Sequence, residues 1–382
     1  MAVKTFAAID VGSYELAMKI FEVSKIKGMH EIDHIRHSID MGSETYGTGK
    51  LSSERVDELC RILREFSDIM KSYQVSSYKA YGTSAIRETK NRAILLDQIE
   101  QRTGIHIEVL SNSEQRFLDY KSIASKGEGF QKIIESGTAI LDIGGGSIQI
   151  SLFDKDTLVS TQNMRLGVLR LQEYLHHLDA SIRQYDTLIK EMVESQLSVY
   201  KKLYLKDRQI KNIIVVDDDI SELVMRKDRN HSGGFADRKT MEYFTEACRT
   251  KNMSELSKML DMPEERIYLL YISMILLHCI MKNMEAEQIW APGVTLCDGI
   301  AYEYAEKSRI ITSQHDFEKD IIACAKNISK RYQGSKKRSE TLEGIALSIF
   351  DGMKKIHGLG KERGCFYRFQ PFCMTVANTS AW

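Results

Sequence analysis

Apolar residues fall near period 2 over residues 6–23, on both sides of Gly12-Ser13, which predicts a β-hairpin at the start of the chain. The pattern returns over 139–153, around Gly144-Gly145-Gly146-Ser147. Between the two, Val56, Leu59, Ile62, Leu63, Phe66, Ile69 and Met70 keep helical spacing over 52–73. A strand is expected at 77–86. A helix should follow, capped by Asn91 and ended by Gly104, then a strand at 105–110 and a helix from Ser113 to about Ser125. After the restart at Ile134, the pattern predicts a strand at 158–164, a long helix at 181–205 and a β-branched strand at 212–216 of the buried parallel kind. Helices are expected at 239–250, 253–260 and 263–283, a last strand at 289–291, and a helix near 299–308. From His315 onward the chain is helical and charged. Strands alternating with helices, twice over, predict two similar α/β lobes and a helical C-terminal piece, divided as 1–125, 126–308 and 309–382.

Composition narrows this picture in only a few places. Fifty-three basic residues balance fifty-three acidic ones, so net charge neither favours nor excludes a polyanionic partner, and no specific nucleic-acid partner is expected. The seven cysteines are widely spaced and form no CxxC pair, which fits reduced thiols in a cytoplasmic protein. The N-terminus runs directly into a strand, without the basic and apolar regions of a signal peptide. The most apolar run, 267–281, is shorter than the roughly 20 residues a bilayer-spanning helix needs. It is expected to be a buried helix, with no membrane partner.

The chemistry concentrates at the two hairpin turns. Asp10 ends one apolar strand and is followed by Gly12 and Ser13. Asp142 ends another and is followed by Gly144, Gly145, Gly146 and Ser147. Glycines let backbone N–H groups approach phosphate oxygens, and a strand-end Asp can hold a hydrated divalent cation. Two such turns in tandem point to two lobes closing on one phosphorylated ligand.

Four segments occur in one order: the hairpin at 6–23, Tyr81-Gly82-Thr83-Ser84-Ala85-Ile86-Arg87-Glu88, Ile107-Glu108-Val109-Leu110-Ser111-Asn112-Ser113-Glu114, and residues 141–147. Together they make the chain resemble the exopolyphosphatase/guanosine pentaphosphatase (Ppx/GppA) family of the actin/sugar-kinase/Hsp70-like superfamily. The resemblance covers roughly residues 5–305, with weaker matches at 164–167 and 264–266. It implies two duplicated ribonuclease-H-like (actin-like ATPase) lobes plus a partial, all-α, HD-like C-terminal domain, and a homodimer. The implied activity is Mg²⁺-dependent release of the terminal phosphate of inorganic polyphosphate, or of the 5′-γ-phosphate of guanosine pentaphosphate. Asp10 and Asp142 would hold the metal. Gly12, Ser13, Gly144, Gly145, Gly146, Ser147 and Arg87 would bind phosphate, with Arg165 a second basic candidate.

The water-activating positions depart from the family pattern. The family reads Ser-Gly-x-Glu-Glu-Ala after the strand ending at Leu110, its second Glu being the base; here the pair is Glu114-Gln115. The family's Gly-Gly-Gly-Ser-x-Glu ends here in Gln149. A glutamine amide cannot take a proton at neutral pH, and losing a general base costs on the order of 10²–10⁴ in rate. Glu114 and Glu15 are the remaining carboxylate candidates for that role. Two readings therefore stay open: a phosphoanhydride hydrolase of weakened activity, and a non-catalytic polyphosphate or guanosine-nucleotide binding protein. A kinase-like relative is disfavoured by the acidic Asp217-Asp218-Asp219, which is expected to be an exposed strand-end turn. His315-Asp316 lacks the second His of a metal phosphohydrolase, and Lys330, Arg331 and Lys336-Lys337-Arg338 are expected to be a solvated face. Residues 358–382 lack helical periodicity, so the C-terminal domain is expected to be cut short.

Overall fold

The two predicted hairpins are present and seed two sheets. In the computed structural model, which describes residues 3–178, 182–227, 233–358, 368 and 370–373, β1 (Lys4–Val11) pairs antiparallel with β2 (Glu15–Ser24). β3 (Gly28–Ser38) extends the meander, and β4 (Ser77–Gly82) and β5 (Ile107–Val109) add in parallel on the other side of β1, giving the order β3-β2-β1-β4-β5. The second sheet repeats the plan. β6 (Thr138–Ile143), β7 (Ile148–Phe153) and β8 (Leu158–Met164) form the meander. β9 (Asn212–Val216) and β11 (Gln288–Trp290) run parallel to β6, and β10 (Phe235–Asp237) closes the edge, in the order β10-β11-β9-β6-β7-β8. Asp10 and Asp142 thus occupy equivalent registers: Asp10 stands opposite Ala17 and Tyr81, Asp142 opposite Gln149 and Val216. The duplicated actin-like ATPase fold is borne out.

Each lobe has its own core. In the first, the helix Ser53–Ser72 buries Val56, Leu59, Leu63 and Phe66 against the sheet, each full side chain stabilising by about 1.5–3 kcal/mol. In the second, the helix Glu264–Met284 is apolar around most of its circumference, because helices and sheet surround it. By length and composition it could cross a membrane, yet it is packed inside the lobe, as expected from 267–281.

Several elements were not expected from the pattern, the helices Glu128–Ile134 and Val168–His177 and the short β10 among them. β3 carries His30, Glu31, Asp33, His34, Arg36 and His37, and no clean alternation survives on this edge strand. The short helix Met41–Gly47 and the helix Asp218–Lys227 were also missed. Asn91 sits at its helix start without capping it: its side chain instead accepts from Thr89 and donates to the Leu51 carbonyl.

The C-terminal helix Phe317–Arg331 packs on β8 through a buried knot. Asp320 accepts from the Leu158 N–H (3.1 Å) and contacts His315 (2.6 Å) and Tyr120. Asp316 caps the helix by accepting from the Lys319 N–H. The residues of His315-Asp316 therefore dock and cap this helix. Most of 358–382, on which the expected shortening rests, lies outside the described residues.

Candidate functional site

The two turns close in the same way: the Gly12 N–H donates to Glu15 O, and the Gly144 N–H to Ser147 O, each at 3.0 Å. They meet where the lobes touch. A Cβ on Gly146 would lie 2.4 Å from Tyr46 Oη, and one on Gly145 3.0 Å from Ser13 Cβ, both in the first lobe. Glycines at 145 and 146 are thus required by close approach of the lobes. Ser13 Oγ is hydrogen-bonded to Tyr46 (2.8 Å) and Ser84 (2.9 Å). Glu88 of the first lobe pairs with Arg165 and Arg170 of the second, and Arg170 also lies over the Tyr46 ring.

Between the lobes lies a cavity of about 220 Å³. Asp10, Gly12, Ser13, Ser84 and Gln115 line it from one side, and Asp142, Gly144 and Gly145 from the other. Of the expected site residues, Gly146, Ser147, Gln149, Arg87 and Glu114 are not among those lining it. Gly146 packs beneath Tyr46, and Arg87 Nη1 donates to the Leu110 carbonyl (2.7 Å) and Gln115 Oε1 (3.4 Å). Arg165 is exposed on Glu88.

The two glutamines act on one oxygen. Gln149 Nε2 donates to Asp142 Oδ2 at 2.9 Å, and Gln115 Nε2 approaches the same atom at 3.4 Å. Their carbonyl oxygens accept from Arg116 Nε (3.1 Å) and Arg87 Nη1 respectively. Each amide thus relays an arginine to Asp142, which no ionised carboxylate could do because it has no N–H to donate. Burial pushes Asp142 up to about 6, while hydrogen bonds from Asp119 and Gln149 and the charges of Arg116 and Arg87 hold it down.

Glu114 lies elsewhere. Its carboxylate accepts from the Ser111 N–H (2.8 Å) and its own N–H donates to Ser111 Oγ, a capping box at the exposed start of the helix Asn112–Ala124. Those bonds hold its carboxyl below the usual range. Glu15 does line the cavity, but Arg36 Nε donates to it at 2.7 Å.

Asp217, Asp218 and Asp219 correct the expectation of an exposed turn. They begin the helix Asp218–Lys227 and face the cavity. Asp217 Oδ1 accepts from the Ile220 N–H (2.8 Å), Asp218 lies 3.8 Å from Arg36, and Asp219 pairs with Arg266. A short acidic run after a strand looks like a turn in sequence; the long-range arginines that partner it cannot be read locally.

Asp119 was also missed, although its spacing could have found it, being four residues after Gln115 and so on the same helix face. It lines the cavity, its carboxyl lies against that of Asp142, and burial raises it well above the ordinary carboxylate range. Asp119 Oδ2 and Asp10 Oδ1 are buried without a hydrogen-bond partner among the described residues. Asp10 is pushed up to about 8, by burial first and then by Glu15, Asp142 and Asp218. The cavity is strongly acidic: seven carboxylates (Asp10, Glu15, Asp119, Asp142, Asp217, Asp218, Asp219) face it against Arg36 and Arg266.

Comparison with known proteins adds the lineage. The sequence model of the Ppx/GppA phosphatase family matches residues 19–308. Exopolyphosphatase 1 of Mycobacterium leprae is 26% identical over 193 residues, which cover 50% of this chain and 55% of that protein. A guanosine-5′-triphosphate,3′-diphosphate pyrophosphatase of Vibrio atlanticus is 21% identical over 352 residues, covering 91% and 67%. The chain therefore spans about half the length of the mycobacterial relative. The crystal structure of an exopolyphosphatase from Cytophaga hutchinsonii superposes with a TM-score of 0.68 at 18% identity, over 80% of this chain and 98% of that one, and shows the shared fold.

Proposed function

The chain belongs to the Ppx/GppA phosphatase family, and on that premise we propose that it is a Mg²⁺-assisted phosphoanhydride hydrolase releasing terminal phosphate from inorganic polyphosphate or guanosine pentaphosphate. The observation that carries this reading is the pair of strand-end aspartates, Asp10 and Asp142, in equivalent registers of two lobes around one cavity lined by both glycine turns. Relatives named for each of the two substrates support it.

The residues present fit a hard divalent cation. The cavity offers oxygen donors, Asp10 Oδ1 is buried without a partner among the described residues, and the acidic wall would repel an unaccompanied phosphate. Asp10 and Asp142 would hold Mg²⁺, which when bound supplies charge neutralisation for the phosphate. The chain's own contribution is positional. Gly12, Ser13, Gly144 and Gly145 line the cavity where the phosphate would sit, and Arg87 and Arg116 orient the two glutamines that fix Asp142.

One observation favours a second reading, a binding protein without turnover: both glutamine amides are committed to Asp142 Oδ2 and neither can take a proton from water. The two readings separate in a phosphate-release assay with polyphosphate and with guanosine pentaphosphate in Mg²⁺. Turnover by the wild type supports the hydrolase. Tight binding without turnover, with release appearing only in Gln115→Glu/Gln149→Glu, supports the binding protein.

A further inference from the structure

A second cavity, of about 400 Å³, is framed by the helix Asn112–Ala124, the strands β7 and β8, and the C-terminal helix Phe317–Arg331. Phe117, Leu158, Ile321, Ala325 and Ile328 make its surface mainly apolar. Its size falls in the range of small-molecule pockets, about 300–1,000 Å³. Tyr120 also lines it, but its hydroxyl is engaged with His315 and Asp320. Arg116 is the one charged residue on its wall among the described residues. It separates this cavity from the cleft, because its Nε donates to Gln149 (3.1 Å), whose amide holds Asp142. Nη1 donates to Thr161 Oγ1, so both partners of this half-buried guanidinium are neutral, and it makes no ion pair among the described residues. A cation partly withdrawn from water without a counter-charge costs stability, and here it borders an apolar cavity.

We propose that this second cavity binds an aliphatic monocarboxylate of medium chain length, with its carboxylate on Arg116 and its tail among the apolar side chains. The match is one of charge and of surface. One uncompensated cation calls for one anionic group, and a carboxylate takes a charge-assisted hydrogen bond from a guanidinium. Nε and Nη1 are engaged inside the protein, which leaves Nη2 for the ligand. The apolar walls call for a body without polar atoms; a compact anion such as phosphate would leave them facing water. The site is separate from the cleft and stands whether or not the cleft hydrolyses phosphate.

The test titrates sodium octanoate calorimetrically into the full chain, with hexanoate, octan-1-ol and inorganic phosphate as comparators. Octanoate should bind at a single site, and hexanoate roughly tenfold more weakly for its two missing methylenes. Octan-1-ol, which keeps the tail without the charge, should bind roughly tenfold more weakly than octanoate. In Arg116→Met that preference for octanoate should vanish. Ala325→Trp fills the cavity and should abolish saturable binding. Ala325 is buried, so Ile328→Asp, at a position 36% exposed, serves as the second variant. It sets a like charge in the apolar wall and should weaken octanoate roughly tenfold while the melting temperature stays near that of wild type. Four results would overturn the assignment. They are no saturable binding at about 1 mM octanoate, equal affinity for octanoate and octan-1-ol, phosphate binding more tightly than octanoate, and octanoate affinity unchanged in whichever of the two cavity variants folds.

Discussion

Replacing Gln149 by Glu probes the most unusual feature of the cleft, the neutral side chains that hold Asp142. Gln149 is 2% exposed, donates to Asp142 Oδ2 at 2.9 Å and accepts from Arg116 at 3.1 Å. In the glutamate variant the donor becomes a second anion at that distance, a repulsion of about 6 kcal/mol at an effective dielectric of about 20. Arg116, now facing a charge, returns about 5 kcal/mol on the same scale. The two terms nearly cancel, and the lost donor to a buried oxygen remains, worth about 1–3 kcal/mol. Without divalent cation the variant should therefore be about 1–3 kcal/mol less stable than wild type. Millimolar Mg²⁺ should restore most of that difference and raise the variant's melting temperature more than the wild type's, because three carboxylate oxygens would then crowd one position. Thermal melting of both proteins in chelator and in Mg²⁺, near neutral pH, gives the answer. Equal melting temperatures in chelator with equal Mg²⁺ shifts would refute the role given to the amide.

Three further outcomes follow from the same geometry. Gly146→Ala places a Cβ 2.4 Å from Tyr46 Oη and should cost about 1–3 kcal/mol; a double-mutant cycle with Tyr46→Phe should recover part of it, and simple additivity would contradict the contact. Glu114→Ala breaks the capping box and should cost about 0.5–2 kcal/mol in denaturant melts while leaving kcat within about twofold; a large kcat loss would return Glu114 to the chemistry. Burial lifts Asp10 and Asp217 to about 8 from an ordinary 3.8. Between those values the native state binds more protons than the unfolded chain, so in chelator stability should fall as pH rises from about 4 to about 8. Denaturation midpoints that climb through that window would show that these carboxyls are not held protonated.

The site was legible in proportion to how local its determinants are. The hairpins, the paired Asp-Gly turns and the identity of Gln115 and Gln149 can be read from a few consecutive residues each, and both turns fold as expected. Glu114 illustrates the limit. Its place three residues after Ser111 is the sequence signature of a capping box, but resemblance to a catalytic motif competed with it, and the backbone donor at Ser111 won. Arg36 lies on a strand whose polar residues hide its period, so the cation facing Asp218 across the cleft was invisible.

Alternation of apolar residues, repeated twice, determined by itself that this chain forms two strand–helix lobes with an aspartate at the end of each first strand, because period-2 burial and turn chemistry act between near neighbours. Tertiary structure alone decided how those aspartates are held. The amides of Gln115 and Gln149 converge on one oxygen from a helix of one lobe and a strand of the other. Asp119 turns into the cavity, and an acidic run that reads as a turn becomes the cavity's far wall. Hydrogen bonding and desolvation in a buried cleft depend on which distant groups arrive within about 3 Å, and no local pattern encodes that.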